Sequence, residues 1–124
     1  MTPMTPIRIL VADDEEPLRE LLCEQLTAQG YQTVTACDGE DAIQKLQNSS
    51  FALVLLDINM PKKTGLEVLK YIREQGMSTH VIMLTGRLGY SVGSESMKLG
   101  ADEFITKPFD LNYLDLAIKR ILQV

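Results

Sequence analysis

The chain has 124 residues, is 45% hydrophobic, and carries a formal net charge of -5 with a pI near 4.8. That length suits one domain with a substantial core, and the acidic balance argues against nucleic acid or an anionic membrane as a direct partner. The longest apolar run is far too short to span a bilayer.

Residues 1–6 contain two prolines and no basic or long apolar region, so they read as a flexible N-terminal tail, not a secretion signal. The domain proper is expected over residues 7–124 and in the cytoplasm. Cys23 and Cys37 lack a metal-ligand spacing and read as reduced small hydrophobes. Ile7 to Ala12 forms a first strand, closed by the acidic run Asp13-Asp14-Glu15-Glu16. Pro17 suits the first turn of a helix, with Leu18, Leu21, Leu22 and Leu26 at helical spacing and Gly30 ending it. Tyr31 to Ala36 is a second strand. Asp38-Gly39 then turns into a helix whose stripe is Ala42, Ile43 and Leu46.

Phe51 to Leu56 is a third strand. Its near-continuous apolar character is that of a strand buried on both faces, and Asp57 follows with Pro61 shortly beyond. A carboxylate at the end of such a strand is a ligand-site signal, although an isolated Asp there could simply accept hydrogen bonds from a turn. Thr64-Gly65-Leu66-Glu67 is a capping box opening a third helix that carries Leu66, Leu69 and Ile72 and stops at Gly76. His80 to Leu84 is a fourth strand running into Thr85-Gly86. A short helix is expected from about Ser91 to Leu99, and its glycines predict unusual mobility. Glu103 to Thr106 is a fifth strand, followed by Lys107-Pro108. Asp110 caps a last helix bearing Leu111, Leu114, Ile118, Ile121 and Leu122. His80 reads as an ordinary strand-start residue, and Tyr90 and Tyr113 as surface or packing residues.

Five strands alternating with five helices through short connections imply right-handed βαβ units, a parallel sheet and a three-layer α/β sandwich. In that winding every strand's carboxyl end lies on one edge of the sheet. Asp13, Asp14, Asp57, Thr85 and Lys107 therefore gather there. Three carboxylates without His or Cys suit a hard cation, Mg²⁺ (or Mn²⁺) rather than zinc. Lys107 adds a positive charge and Thr85 a hydroxyl. Together these are the requirements of phosphoryl transfer to a carboxylate. Glu15 and Glu16 read as ordinary solvated acids of a helix N-terminus.

From Ile7 to Leu122 the chain resembles the receiver domain of two-component response regulators. The matching residues are Asp13-Asp14, Asp57-Ile58-Asn59-Met60-Pro61 with Gly65, Thr85, and Gly100-Ala101-Asp102 through Lys107-Pro108-Phe109. The resemblance implies a flavodoxin-like sheet of order 2-1-3-4-5 and a cis Lys107–Pro108 bond. It also implies that Asp57 accepts a phosphoryl group from a sensor histidine kinase, a phosphotransfer protein or a small acyl phosphate. Asp14, Asp57 and the backbone carbonyl of Asn59 would bind Mg²⁺ directly, and Asp13 through water. Thr85 and Phe104 match the switch pair. Gly86 leaves access to the phosphoryl group open, and Asn59 and Arg87 hold positions that tune dephosphorylation. Ala117 stands where relatives with winged-helix outputs carry a basic residue, so a monomer or weak dimer is expected.

The chain reads as a free-standing regulator acting on a downstream protein target, with a receiver detached from an output domain as the other reading. A flavodoxin-like FMN protein would share the fold, but the acids after the first strand would repel its phosphate. An aspartyl-nucleophile phosphatase would need Asp-x-Asp on that strand, which Ala12-Asp13-Asp14 does not supply.

Overall fold

The computed structural model describes the backbone of residues 6–86 and 89–124, and the side chains of 6–86 and 93–124. Strands β1 (Arg8–Ala12), β2 (Gln32–Ala36), β3 (Leu53–Asp57), β4 (His80–Thr85) and β5 (Glu103–Thr106) alternate with five helices. These are α1 (Glu16–Ala28), α2 (Gly39–Asn48), α3 (Gly65–Glu74), α4 (Gly89–Lys98) and α5 (Leu111–Leu122). The sheet is parallel throughout, in the order β2-β1-β3-β4-β5. The expected three-layer sandwich and strand order are both present.

Alternation along the buried strands divides the core in two. Leu10, Val54, Leu56, Val81 and Met83 point to the side covered by α2 and α3, where they meet Leu46, Val68, Leu69 and Ile72. Ile9, Val11, Leu55, Ile82 and Leu84 point to the other side and meet Leu22 and Leu26 of α1 and Leu114 and Ile118 of α5. Leu53 to Leu56 of β3 are all buried, as their unbroken apolar run requires, and Asp57, the last residue of the strand, is buried with them.

The helix ends follow local chemistry. Thr64 accepts the Glu67 amide while the Glu67 carboxylate accepts the Thr64 amide, a complete capping box. Asp38 caps α2 and Asp110 caps α5, each accepting a first-turn amide. The Asp41 amide on its side chain holds the Asp38 carboxyl below its usual range.

Three expectations need correction and one an addition. Leu21 is largely exposed rather than part of the α1 core stripe, because Leu22 one position on, about 100° round the helix, takes the inward direction. The inward face of α3 includes Val68 besides the expected Leu69 and Ile72, and Leu66 packs partly buried against the same core. The fourth helix begins at Gly89, not Ser91. Ala117 is buried among the α1–α5 core residues, so its identity says nothing about the outer face of α5. On that outer face Tyr113 and Arg120 both donate to the Glu103 carboxylate of β5.

Candidate functional site

The parallel winding brings the carboxyl ends of β1, β3, β4 and β5 to one edge, and the expected residues meet there. Asp13, just beyond β1, is fully buried, Asp57 is 4% exposed, and Asp14 is exposed. One carboxylate oxygen from each of the three lies within 4.8 Å of the others. Among the described residues this all-oxygen group is the one arrangement of acids, His or Cys fit to hold a metal ion.

Asp13 is tightly held. Its amide donates to the Ala36 carbonyl, and its Oδ1 accepts the Glu15 amide at 2.9 Å. Its Oδ2 accepts Lys107 Nζ at 2.9 Å, and its carbonyl accepts Arg19 Nη1 at 2.7 Å. Asp57 is held more loosely. Oδ1 accepts the Asn59 amide at 3.3 Å, and Oδ2 lies 3.5 Å from Lys107 Nζ. Burial and the charge of Asp13 push the Asp57 carboxyl up to about 7, against the opposing effect of Lys107. Burial alone would lower the Lys107 ammonium, but the Asp13 hydrogen bond and the Asp57 and Asp13 charges outweigh it and raise its pKa. Three carboxylates crowded together beside a partly buried ammonium form an all-oxygen donor set of the kind a hard divalent ion takes. The residues present therefore fit magnesium.

The loop after Asp57 is shaped by its backbone. The Gly65 amide donates to the Ile58 carbonyl at 2.8 Å, and a Cβ at Gly65 would lie 2.3 Å from the Asp57 carbonyl oxygen. Only glycine lets α3 start this close to the strand end, which explains why it belongs to the motif. On the other side the Lys107 amide donates to the Thr85 carbonyl at 2.6 Å, and the Lys107–Pro108 bond is cis as expected. Thr85 is buried, and its hydroxyl donates to the Gly86 carbonyl at 3.4 Å. A Cβ built at Gly86 meets nothing within 4 Å among the described residues. Asn59 is exposed, and Phe104 is half-buried against α4. Arg87 lies outside the described residues.

Sequence reasoning missed two members of the site and one contact elsewhere. Glu15, expected to be an ordinary solvated acid, places Oε1 3.2 Å from Lys107 Nζ. The acidic run was the available signal, but which acid a lysine 92 positions away selects is a tertiary matter. Arg19 reaches back one turn and a half to fix the Asp13 carbonyl. At the opposite edge of the sheet His80, expected to be an ordinary strand start, lies with Nδ1 3.2 Å from Asp102 Oδ1.

A flavodoxin-like sheet carrying an acidic triad, a strand-end hydroxyl and a cis-proline lysine defines a class of phosphoryl-receiving signalling domains. Residues 9–119 match the response regulator receiver domain family, and the chain belongs to that family. It is 38% identical over 116 residues to the alkaline phosphatase synthesis transcriptional regulatory protein PhoP of Bacillus subtilis, covering 94% of this chain and 48% of that regulator. It is 40% identical over 108 residues to the transcriptional regulatory protein DltR of Streptococcus agalactiae, covering 87% of this chain and 48% of that one. The chain thus spans about half the length of these regulators.

Among solved structures it resembles the receiver domain of the Francisella response regulator 1452, with TM-score 0.89, 27% identity, and 94% and 97% of the two chains covered. It also resembles the Thermotoga maritima response regulator TrrA in complex with Mg(2+)-BeF, with TM-score 0.81, 40% identity, and 93% and 98% covered. The protein is a receiver domain of two-component response regulators, a signalling module. No helix among the described residues is long and apolar enough to cross a membrane.

Proposed function

We propose that residues 7–124 act as a magnesium-dependent phosphoacceptor module of the cytoplasm, with Asp57 as the acceptor. The observation that carries this is the buried Asp57 carboxylate, in one 4.8 Å acidic group with Asp13 and Asp14 and 3.5 Å from the Lys107 ammonium. An Asp57 oxygen attacks phosphorus, the phosphorus–nitrogen bond of a phosphohistidine breaks, and an acyl phosphate remains on Asp57. The donor is a sensor histidine kinase or phosphotransfer protein, and a small acyl phosphate serves equally, losing its carboxylate as leaving group. Asp14, Asp57 and the Asn59 carbonyl would hold the metal, and Asp13 would act through water. When bound, Mg²⁺ supplies positive charge to the transferring oxygens. Lys107 pairs with one phosphoryl oxygen and the Thr85 hydroxyl donates to another.

The dianionic group then biases Thr85 and Phe104, so the outer face built from α4, β5 and α5 is presented differently to a downstream target or output domain. An apolar groove of about 670 Å³ opens beside Gly86 and Lys107, walled by Pro17, Leu18, Leu21 and Phe109. The domain assists its own phosphorylation and dephosphorylation. Incubation with acetyl phosphate and Mg²⁺ is expected to add one phosphoryl group by mass spectrometry. Loss of metal or Asp57→Asn should abolish it, and an equal yield in Asp57→Asn would overturn the assignment. Arg87 and Asn59 set the lifetime of the acyl phosphate. Arg87→Ala is expected to change the decay rate severalfold once donor is removed, and an unchanged rate would remove Arg87 from that role.

A further inference from the structure

The α4 helix carries a buried glycine, Gly93, in its interior. A Cβ built there would lie 2.5, 2.6 and 2.7 Å from Cε2, Cζ and Cδ2 of the Phe104 ring. Carbon atoms in contact sit about 3.5–4.0 Å apart, so the ring occupies the space that any other residue's side chain would need. Phe104 lies on β5, paired with Met83 of β4, and is partly buried against the core on the α2–α3 side. In the same arrangement the Thr85 hydroxyl, at the end of β4, is committed to the Gly86 carbonyl. Glycine is a poor interior helix residue, and here the ring supplies a reason for it.

We propose that Gly93 is a positioning residue of the switch, a notch on α4 that holds the Phe104 ring in its resting place and so sets the free-energy gap to the activated state. This rests on the receiver reading above and adds to it the element that the ring must leave. A single methyl at Gly93 removes the resting place, and the ring turns to another χ1 well. The protein then begins closer to its activated arrangement, and a ligand specific for that arrangement binds more tightly.

The test uses the whole chain labelled with 4-fluorophenylalanine, whose three Phe positions give a simple fluorine spectrum. In Gly93→Ala the Phe104 resonance is expected to move, without ligand, toward the position it takes in wild type with Mg²⁺ and beryllofluoride. The variant should bind Mg²⁺–beryllofluoride more tightly by about fivefold or more. That gain should vanish in the Gly93→Ala/Phe104→Ala pair measured against Phe104→Ala alone. An unmoved resonance, unchanged or weaker binding, or the same gain without the ring each overturns the notch. If Gly93→Ala alone does not fold, recovery of folding in the double variant supports the ring clash, and no recovery overturns it. A wild type with no beryllofluoride response refutes the receiver mechanism itself, while the ligand-free fluorine shift still decides whether the notch holds the ring.

Discussion

At Asp57, stability and readiness for chemistry oppose each other. Without metal, its carboxyl is pushed up to about 7 by burial and by Asp13, whereas in an unfolded chain it titrates near ~3.9. Between roughly pH 4 and 7 the folded protein therefore holds a proton that the unfolded chain has lost. The corresponding stability is complete below that window, falls as pH rises through it, and is gone above it. Asp57→Asn removes this slope, and at neutral pH the metal-free variant is expected to be more stable than wild type by about 1 kcal/mol or more, a few degrees in Tm. Thermal denaturation at pH 5 and pH 8 checks the sign. At pH 8 Mg²⁺ should raise the wild-type Tm and do much less for the variant, the outcome that the proposed metal binding at the Asp57 carboxylate requires.

At the scale of elements, the end of α4 is fastened from outside its own sequence. Arg73, in the last turn of α3, donates Nε and Nη2 to the Gly100 carbonyl and Nη1 to the Met77 and Thr79 carbonyls. Its Nη2 also lies 3.5 Å from Asp102, whose carboxylate takes the Val81 amide at 2.8 Å. Gly100 has φ +102, a conformation that favours glycine, and a Cβ there would also crowd Arg73 Nε at 3.0 Å. One planar guanidinium thus ties the α3–β4 loop to the α4–β5 turn, and a lysine cannot reproduce that fork. Arg73→Lys is expected to cost about 1–3 kcal/mol in urea unfolding and to raise amide exchange at Gly100 and Ala101 specifically. This clasp fixes the turn that follows the carboxyl end of α4. The glycine-rich composition predicts mobility for this segment, and amide exchange along α4 is the measurement that checks it.

Over the whole molecule, one sheet serves two cores. Leu55 and Leu56 are adjacent, both fully buried, and belong to opposite sides of it. Truncating either to Ala leaves a cavity worth about 2–5 kcal/mol. Because both cores share the same five strands, each variant is expected to melt in a single transition by far- and near-ultraviolet circular dichroism. Separate loss of one helical layer would contradict this.

The amino-acid pattern alone was enough for the element order, the capping box, the doubly buried β3 and the gathering of Asp13, Asp14, Asp57, Thr85 and Lys107 at one edge. Periodicity, turn residues and right-handed crossover are local or topological rules, and parallel winding turns strand ends into neighbours whatever their separation in sequence. What only the tertiary structure decided was side-chain direction and partner. Leu21 turned outward and Ala117 inward, Lys107 took Glu15 as well as Asp13, and Gly93 gave its space to Phe104. Those outcomes depend on rotations of about 100° per residue on a helix and on contacts a few ångströms across between segments far apart in the chain, which no local pattern encodes.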